Sequence, residues 1–234
     1  MPYTYSLVLF CAVIICFIAS FHRRIKFNRH FGAFIISATI VAAPFILWDI
    51  WFTMKGVWWF NHKYTAGINI AGLPLEEWLF FYCIPFACIF TYYCLDRFFN
   101  LYPFSAFNNI VAFVGFIGCG IVILLFSTKL YTTTAAVVTL GTLVYLHFIA
   151  RKDWLAPATF VYLVLMPGFF AVNGILTGTL LQEPVVNYTS SEIIGRRLLT
   201  IPVEDIMYGF SLFLLNVYFF KLIGEKKQNK CVTV

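Results

Sequence analysis

Residues 73–81 are LPLEEWLFF, so that Glu76 and Glu77 stand between Pro74 and a long aromatic segment. Pro74 suits the first turn of a helix, where its missing N–H needs no partner, and acidic side chains there face the positive end of the helix dipole. Trp78–Leu95 contains no charge, but its 18 residues barely cross a bilayer core. A span that begins at Leu73 is long enough to cross the bilayer core. It places both carboxylates at membrane depth, where ionisable groups are functional candidates.

The composition indicates an integral membrane protein. Hydrophobic residues make up 62% of the chain, charged residues make up 11%, and the mean hydropathy is +0.87. A soluble domain carries about 25% charged residues. The net charge of +6 does not indicate nucleic-acid binding, because the basic residues lie in short loops between apolar segments. The seven cysteines form no CxxC pair or Cys/His cluster, so the sequence predicts neither a disulfide framework nor a metal site.

The chain divides into seven apolar segments that are candidate membrane spans. In chain order they are Tyr3–Ser20, Phe31–Thr53, Leu73–Leu95, Ile110–Phe126, Leu130–Ala150, Trp154–Leu176 and Ile201–Phe220. If the N-terminus is outside, the cytoplasmic segments hold eleven Lys and Arg residues and the opposite side holds five. This asymmetry predicts an outside N-terminus and a cytoplasmic C-terminus.

The seventh span repeats the third. Residues 201–208, IPVEDIMY, match residues 73–80, LPLEEWLF, in chemical type, and both are preceded by related positions. These positions pair Asp49 with Asn173, Thr53 with Thr177, and Gly67 with Gly195. The offset is 124 residues before the intervening loop and 128 after it, which indicates an internal duplication with a longer second loop.

The duplication predicts the domain organisation. We expect a first repeat of three spans in residues 1–100, a connecting span in residues 101–128 and a second repeat of three spans in residues 129–234. An odd connecting span makes the two repeats parallel, related by an axis along the membrane normal. The predicted fold is therefore all-α and polytopic, with about seven transmembrane helices.

The motifs PLEE (residues 74–77) and PVED (residues 202–205) resemble those of the membrane lycopene cyclases. Heterodimeric members of that family carry one copy in each polypeptide, and fused members carry both in one chain. The resemblance implies closure of the acyclic ends of lycopene to β-rings, giving β-carotene through γ-carotene. It further implies a bacterial or archaeal cell membrane, a carotenoid substrate within the bilayer, and association with other carotenoid-pathway enzymes.

The residues suit this chemistry independently of the resemblance. Ring closure protonates a terminal alkene, passes through a tertiary carbocation and removes a different proton, and a carboxylic acid in an apolar site can donate a proton near neutral pH. Since glutamate occupies the first acidic position in both motifs, we assign Glu76 and Glu204 to proton transfer. Glu77 and Asp205 are expected to orient them, relay protons or accept the departing proton.

Aromatic and polar side chains near the motifs are candidates for substrate binding. Aromatic faces stabilise a carbocation by about 0.5–2 kcal/mol each when desolvated. The candidates are Trp78, Phe80, Phe81, Tyr208, Asp49 and Asn173. For Asp49 and Asn173, pairing with loop residues is an equally good interpretation.

Other functions use some of the same features. A small proton-coupled transporter built from parallel repeats would also carry duplicated acidic residues at membrane depth. A cyclase acting on a C50 carotenoid would share the motifs. A retinal-binding rhodopsin would need a lysine inside the last span, which Ile201–Phe220 lacks, and a prenyltransferase would need Asp-rich magnesium motifs, which are absent.

The sequence predicts turnover without a cofactor, because cyclisation is an isomerisation and no G-x-G-x-x-G dinucleotide motif is present. Purified protein in lipid should convert substrate equally well with and without added nicotinamide and flavin. Stoichiometric consumption of reduced nicotinamide would contradict this prediction.

Overall fold

The computed structural model describes the backbone of residues 2–232 and the side chains of residues 2–224. Within that part of the chain, seven α-helices follow one another. They are α1 (Thr4–Ala19), α2 (Phe31–Met54), α3 (Leu75–Phe98), α4 (Asn108–Leu125), α5 (Leu130–Val144), α6 (Leu155–Leu176) and α7 (Glu204–Val232). Short 3₁₀ segments precede α2 and α4, and a π-helical turn, Tyr145–Ile149, continues α5. The side chains of the predicted basic tail beyond residue 224, including Cys231, lie outside the described residues.

The prediction of an all-α polytopic membrane protein is confirmed. Six helical segments, those of α2 to α7, are long and apolar enough to cross a membrane. Helix α1 is equally apolar, but its 16 residues are fewer than the roughly 20 needed for a complete span. The connections 20–30, 99–107 and 150–154 lie at one end of the bundle, and both acidic motifs lie at the other.

The helices that carry the two acidic motifs begin later than the sequence predicts. Leu73–Pro74 forms strand β3, paired with β2 (Asn69–Ile70), and Pro74 is the residue before the helix rather than part of its first turn. The second motif has the same arrangement, with Ile201–Pro202 as β6 paired with β5 (Arg197–Leu198). Proline suits this position because the hairpin leaves its nitrogen without a required hydrogen bond.

The backbone of the two motif loops is the same in both repeats. Leu75 donates its N–H to the Ile68 carbonyl at 2.8 Å, and Val203, 128 residues later, donates to Arg196 at 3.2 Å. Gly67 and Gly195 both have φ of +82°, a conformation that is strained for residues with a side chain. Each acidic motif is therefore delivered to its helix by the same glycine turn and hairpin.

The repeats meet in a two-stranded sheet at the motif end of the bundle. Strand β1 (Trp58–Phe60) pairs antiparallel with β4 (Val186–Tyr188), and Trp59 lies opposite Asn187 at the centre. Because the members of each strand are related by the offset of 128, this pairing is symmetric about its central pair. The strand pair thus covers the junction between the two repeats.

Aromatic packing holds the opposite end of the bundle together. Phe27 is fully buried, and five aromatic rings have centroids within 5.2–5.9 Å of its own. These rings come from the start of α2, from α3 and from the middle of α7, so one side chain contacts both repeats. They are Phe31, Phe86, Phe90, Tyr93 and Phe220.

Phe27→Ala should lower the free energy of unfolding by about 3–5 kcal/mol, because it leaves a cavity among these rings. Thermal unfolding of the purified protein in detergent measures the change. Phe10→Ala is the matched control, since Phe10 is 59% exposed on the surface of α1, and it should change stability by less than about 0.5 kcal/mol. Equal destabilisation by both substitutions would contradict the proposed role of Phe27.

Candidate functional site

A cavity of about 220 Å³ lies inside the bundle and is lined by both repeats. Its walls run from Glu77 to Cys88 on α3 and from Asp205 to Asn216 on α7. Each stretch advances eleven residues, which is about 16 Å of helix. The cavity is therefore an elongated, mostly apolar slot with its carboxyl groups at the motif end, below β1 and β4.

The second acidic residue of the first motif faces this cavity. Glu77 accepts a hydrogen bond from the Tyr5 hydroxyl at 2.6 Å, and Asp49 is its neighbour in the cavity lining. Asp49 accepts a hydrogen bond from Tyr208 at 3.0 Å. Two carboxyl groups can hydrogen-bond to each other only when one of them carries a proton. The Asp49–Glu77 pair is therefore chemically able to share one proton.

The second acidic residue of the second motif also faces the cavity, with different partners. Asp205 accepts hydrogen bonds from Tyr131 at 2.6 Å and from Tyr188 at 2.9 Å, one to each carboxyl oxygen. Tyr188 lies in β4, outside the spanning helices, and burial followed by the nearby Asp205 charge raises the pKa of its hydroxyl well above the usual range. Tyr188 therefore stays a neutral hydrogen-bond donor to Asp205.

The first acidic residue of each motif is buried behind the cavity wall and does not line it. Glu76 accepts hydrogen bonds from the Ser6 hydroxyl at 2.9 Å and the Ala66 backbone N–H at 2.7 Å. The equivalent bonds to Glu204 come from Thr132 and from the backbone N–H of residue 194, both at 2.6 Å. Oε2 of each glutamate has no hydrogen-bond partner among the residues that the structure describes. These bonds join each motif helix to its glycine loop and to the helix that begins its repeat.

Some of the predicted substrate-binding residues line the cavity and others do not. Phe80, Tyr208, Asp49 and Asn173 line the cavity. Trp78 and Phe81, which the sequence also predicts to bind substrate, do not belong to the lining. Trp78 donates its indole N–H to the Ile70 carbonyl at 3.1 Å, and Phe81 packs against Phe45.

Aromatic rings surround the carboxyl groups at the motif end of the cavity. The Tyr131 ring stacks on Tyr188 with centroids 5.8 Å apart, and Trp58 meets Tyr131 edge to face at 5.1 Å. Tyr208 packs against Trp48 at 5.0 Å. These rings can stabilise a carbocation that forms between the carboxyl groups. Among the described residues, no group of three or more His, Cys, Asp or Glu side chains could hold a metal ion.

Sequence reasoning found Tyr208 but missed three other tyrosines that bind the cavity carboxyl groups, Tyr5, Tyr131 and Tyr188. Tyr5 and Tyr131 occupy equivalent places, since Tyr5-Ser6 in α1 and Tyr131-Thr132 in α5 are 126 residues apart. Extending the repeat comparison to the first helix of each repeat would have found this pair. Tyr188 could not be found in that way, because its equivalent in the first repeat is Phe60.

The comparison with known proteins identifies the family. A family model described as lycopene cyclase matches residues 2–95 and 128–223, one stretch in each repeat. The chain belongs to the lycopene cyclase family. It is an integral membrane protein with a duplicated cyclase unit, and its family acts on a carotenoid substrate. No curated protein and no solved structure matches the chain.

Proposed function

We propose that this family member is a lycopene β-cyclase that closes the ends of lycopene to β-rings, through γ-carotene to β-carotene. The observation that carries the proposal is the single apolar cavity into which both motifs project a carboxyl group, Glu77 from one repeat and Asp205 from the other. A proton donor and a proton acceptor from two repeats therefore face the same space.

The reaction needs these groups and no electron carrier. A proton adds to the terminal double bond of the substrate and leaves a tertiary carbocation. The electron pair of a double bond further along the chain then forms the ring carbon–carbon bond, which moves the positive charge to a ring carbon. Loss of a proton from the neighbouring ring carbon forms the ring double bond. One proton enters and one leaves, so the product is an isomer of the substrate.

We assign proton transfer to Glu77 and Asp205, in place of the prediction that Glu76 and Glu204 perform it. Adjacent helix residues point about 100° apart, so only one of the two acidic residues in each motif can face the cavity. The hydrogen bonds of Glu76 and Glu204 to the motif loops support a structural role for these two residues. In this proposal, Glu76 and Glu204 hold the first turns of α3 and α7 in place.

The size of the cavity suits one end of the substrate at a time. An apolar cavity of about 150 Å³ is known to take up benzene, and this one is larger at about 220 Å³. One end group can lie among the aromatic rings while the polyene continues along the slot toward Asn216. The two ends would then react one after the other, with a monocyclic intermediate.

The proposal includes the orientation of the chain in the membrane that the sequence predicts. With the N-terminus outside, the carboxyl groups lie toward the non-cytoplasmic side, and a carotenoid reaches them from within the bilayer. Residues 1–100 and 129–234 are proposed as the two cyclase repeats, with residues 101–128 as their connection. Neither repeat alone contains both cavity acids, so the proposed active unit is the whole chain.

Expression in a lycopene-accumulating bacterium should yield γ-carotene and β-carotene, resolved by chromatography of the extracted pigments. The result follows from the family and from the paired acids in one cavity. Unchanged lycopene, with the protein confirmed in the membrane fraction, would refute the assigned substrate. Rings with a different double-bond position would refute the β-specificity.

Glu77→Gln and Asp205→Asn should each reduce ring formation by about 10²–10⁴-fold, because each removes one of the two proton-transfer groups. Either substitution alone should cause this loss, because the two carboxyl groups act in one cavity. Pigment accumulation and turnover by the purified protein in lipid measure the loss.

The matched controls are Glu76→Gln and Glu204→Gln, the neighbouring residues in the same motifs. They should lower the thermal stability of the protein yet retain most of the turnover per folded molecule. Loss of turnover in these two variants, with Glu77→Gln and Asp205→Asn active, would restore Glu76 and Glu204 as the proton-transfer groups.

A further inference from the structure

Three pairs of equivalent positions in the cavity lining differ in a carboxyl or hydroxyl group. The first repeat has Asp49, Phe60 and Phe80 where the second has Asn173, Tyr188 and Tyr208. All six side chains line the cavity. These differences give the two halves of the cavity different polar groups.

The Glu77 side contains an additional carboxyl group and therefore an additional proton site. Asp49 is only 2% exposed, is a neighbour of Glu77 in the cavity lining and accepts a hydrogen bond from Tyr208 of the opposite repeat. The equivalent Asn173 has no carboxyl group, and the equivalent of Tyr208 is Phe80, which has no hydroxyl. Only one half of the cavity can form a carboxyl pair that shares a proton.

The Asp205 side contains hydrogen-bond donors instead. Tyr131 and Tyr188 donate to its two oxygens, whereas the equivalent of Tyr188 beside Glu77 is Phe60, which has no hydroxyl. Hydrogen bonds donated to a carboxylate stabilise its ionised form. The Asp205 side has two hydrogen-bond donors and no second carboxyl group. Its carboxyl group is therefore suited to be ionised and to receive a proton.

We propose that the Asp49–Glu77 pair is the proton donor and that Asp205, held by Tyr131 and Tyr188, is the proton acceptor. This deepens the proposed function and rests on it. Glu77 delivers the proton to the terminal alkene, and Asp49 is a positioning residue that shares that proton. Asp205 removes the proton from the ring carbon beside the cation, and the electron pair of that bond becomes the ring double bond.

A defect in the donor and a defect in the acceptor should change the product in different ways, which the loss of a purely structural residue would not do. Without a donor the alkene is not protonated, so a weakened donor lowers the amount of product and leaves its identity unchanged. With a weakened acceptor the cation still forms, and other ring-adjacent carbons can lose the proton. A defect on the acceptor side therefore changes the position of the ring double bond.

Three Tyr→Phe substitutions test the proposal, because each removes one hydroxyl and keeps every carboxyl group. Tyr208→Phe weakens the donor side, Tyr188→Phe weakens the acceptor side, and Tyr145→Phe is the control, since Tyr145 bonds Tyr218 far from the cavity. Each variant is expressed in a lycopene-accumulating bacterium. Total cyclised pigment and the ratio of ring isomers are measured by chromatography, alongside the amount of folded protein in the membrane.

We expect Tyr208→Phe to lower total cyclised pigment several-fold with only β-rings formed, and Tyr188→Phe to raise the fraction of other ring isomers at least several-fold. Tyr145→Phe should match the unaltered chain. Asp49→Asn should show the signature of Tyr208→Phe more strongly. The small amount of cyclised pigment that Asp205→Asn still forms should carry the raised fraction of other ring isomers.

Isomer changes in Tyr208→Phe with β-rings alone in Tyr188→Phe would reverse the two roles. The same isomer ratio in all variants would overturn the proposal. Absence of cyclised pigment from the unaltered chain would instead refute the proposed function itself.

Discussion

The burial of carboxyl groups at the start of α3 and α7 is the constraint on which the rest of the structure depends. Glu76 and Glu204 are 1% and 0% exposed, in a region where water cannot satisfy them. Their donors come from the first helix of each repeat, Ser6 in α1 and Thr132 in α5, together with backbone N–H groups of the motif loops. The requirement for these bonds pairs α1 with α3 and α5 with α7, and so fixes each repeat as a unit.

Duplication supplies two acidic sites, and the proposed mechanism gives them opposite tasks, the addition of a proton and its removal. The shared framework of glycine turn, hairpin and buried glutamate keeps both sites in register. A few differences inside the cavity, such as Asp49 against Asn173 and Phe60 against Tyr188, change what each carboxyl group contacts. The scaffold is thus nearly symmetric while the chemistry within it is not.

The helices and the repeat could be predicted from the sequence because apolar length and a constant offset are local properties of the chain. The short strands could not, since Leu73–Pro74 and Ile201–Pro202 become strands only by pairing with loop residues. Tyr188 was missed for a similar reason, because it reaches Asp205 only through the pairing of β4 with β1 from the other repeat. Phe81 was chosen for its proximity in sequence, and its direction on the helix takes it away from the cavity.

The sequence by itself determined the membrane class, the seven helices, the duplication and the two acidic motifs, because each can be read from composition or from spacing. Only the tertiary structure decided which acid of each motif faces the cavity. Neighbouring helix residues point in different directions, and the choice between them depends on partners supplied by distant helices. For Glu77 these partners are Tyr5 and Asp49, and for Asp205 they are Tyr131 and Tyr188. Tyr5 and Tyr131 lie more than seventy positions from the acids they bind, and such contacts leave no local pattern in the chain, so only the folded structure reveals them.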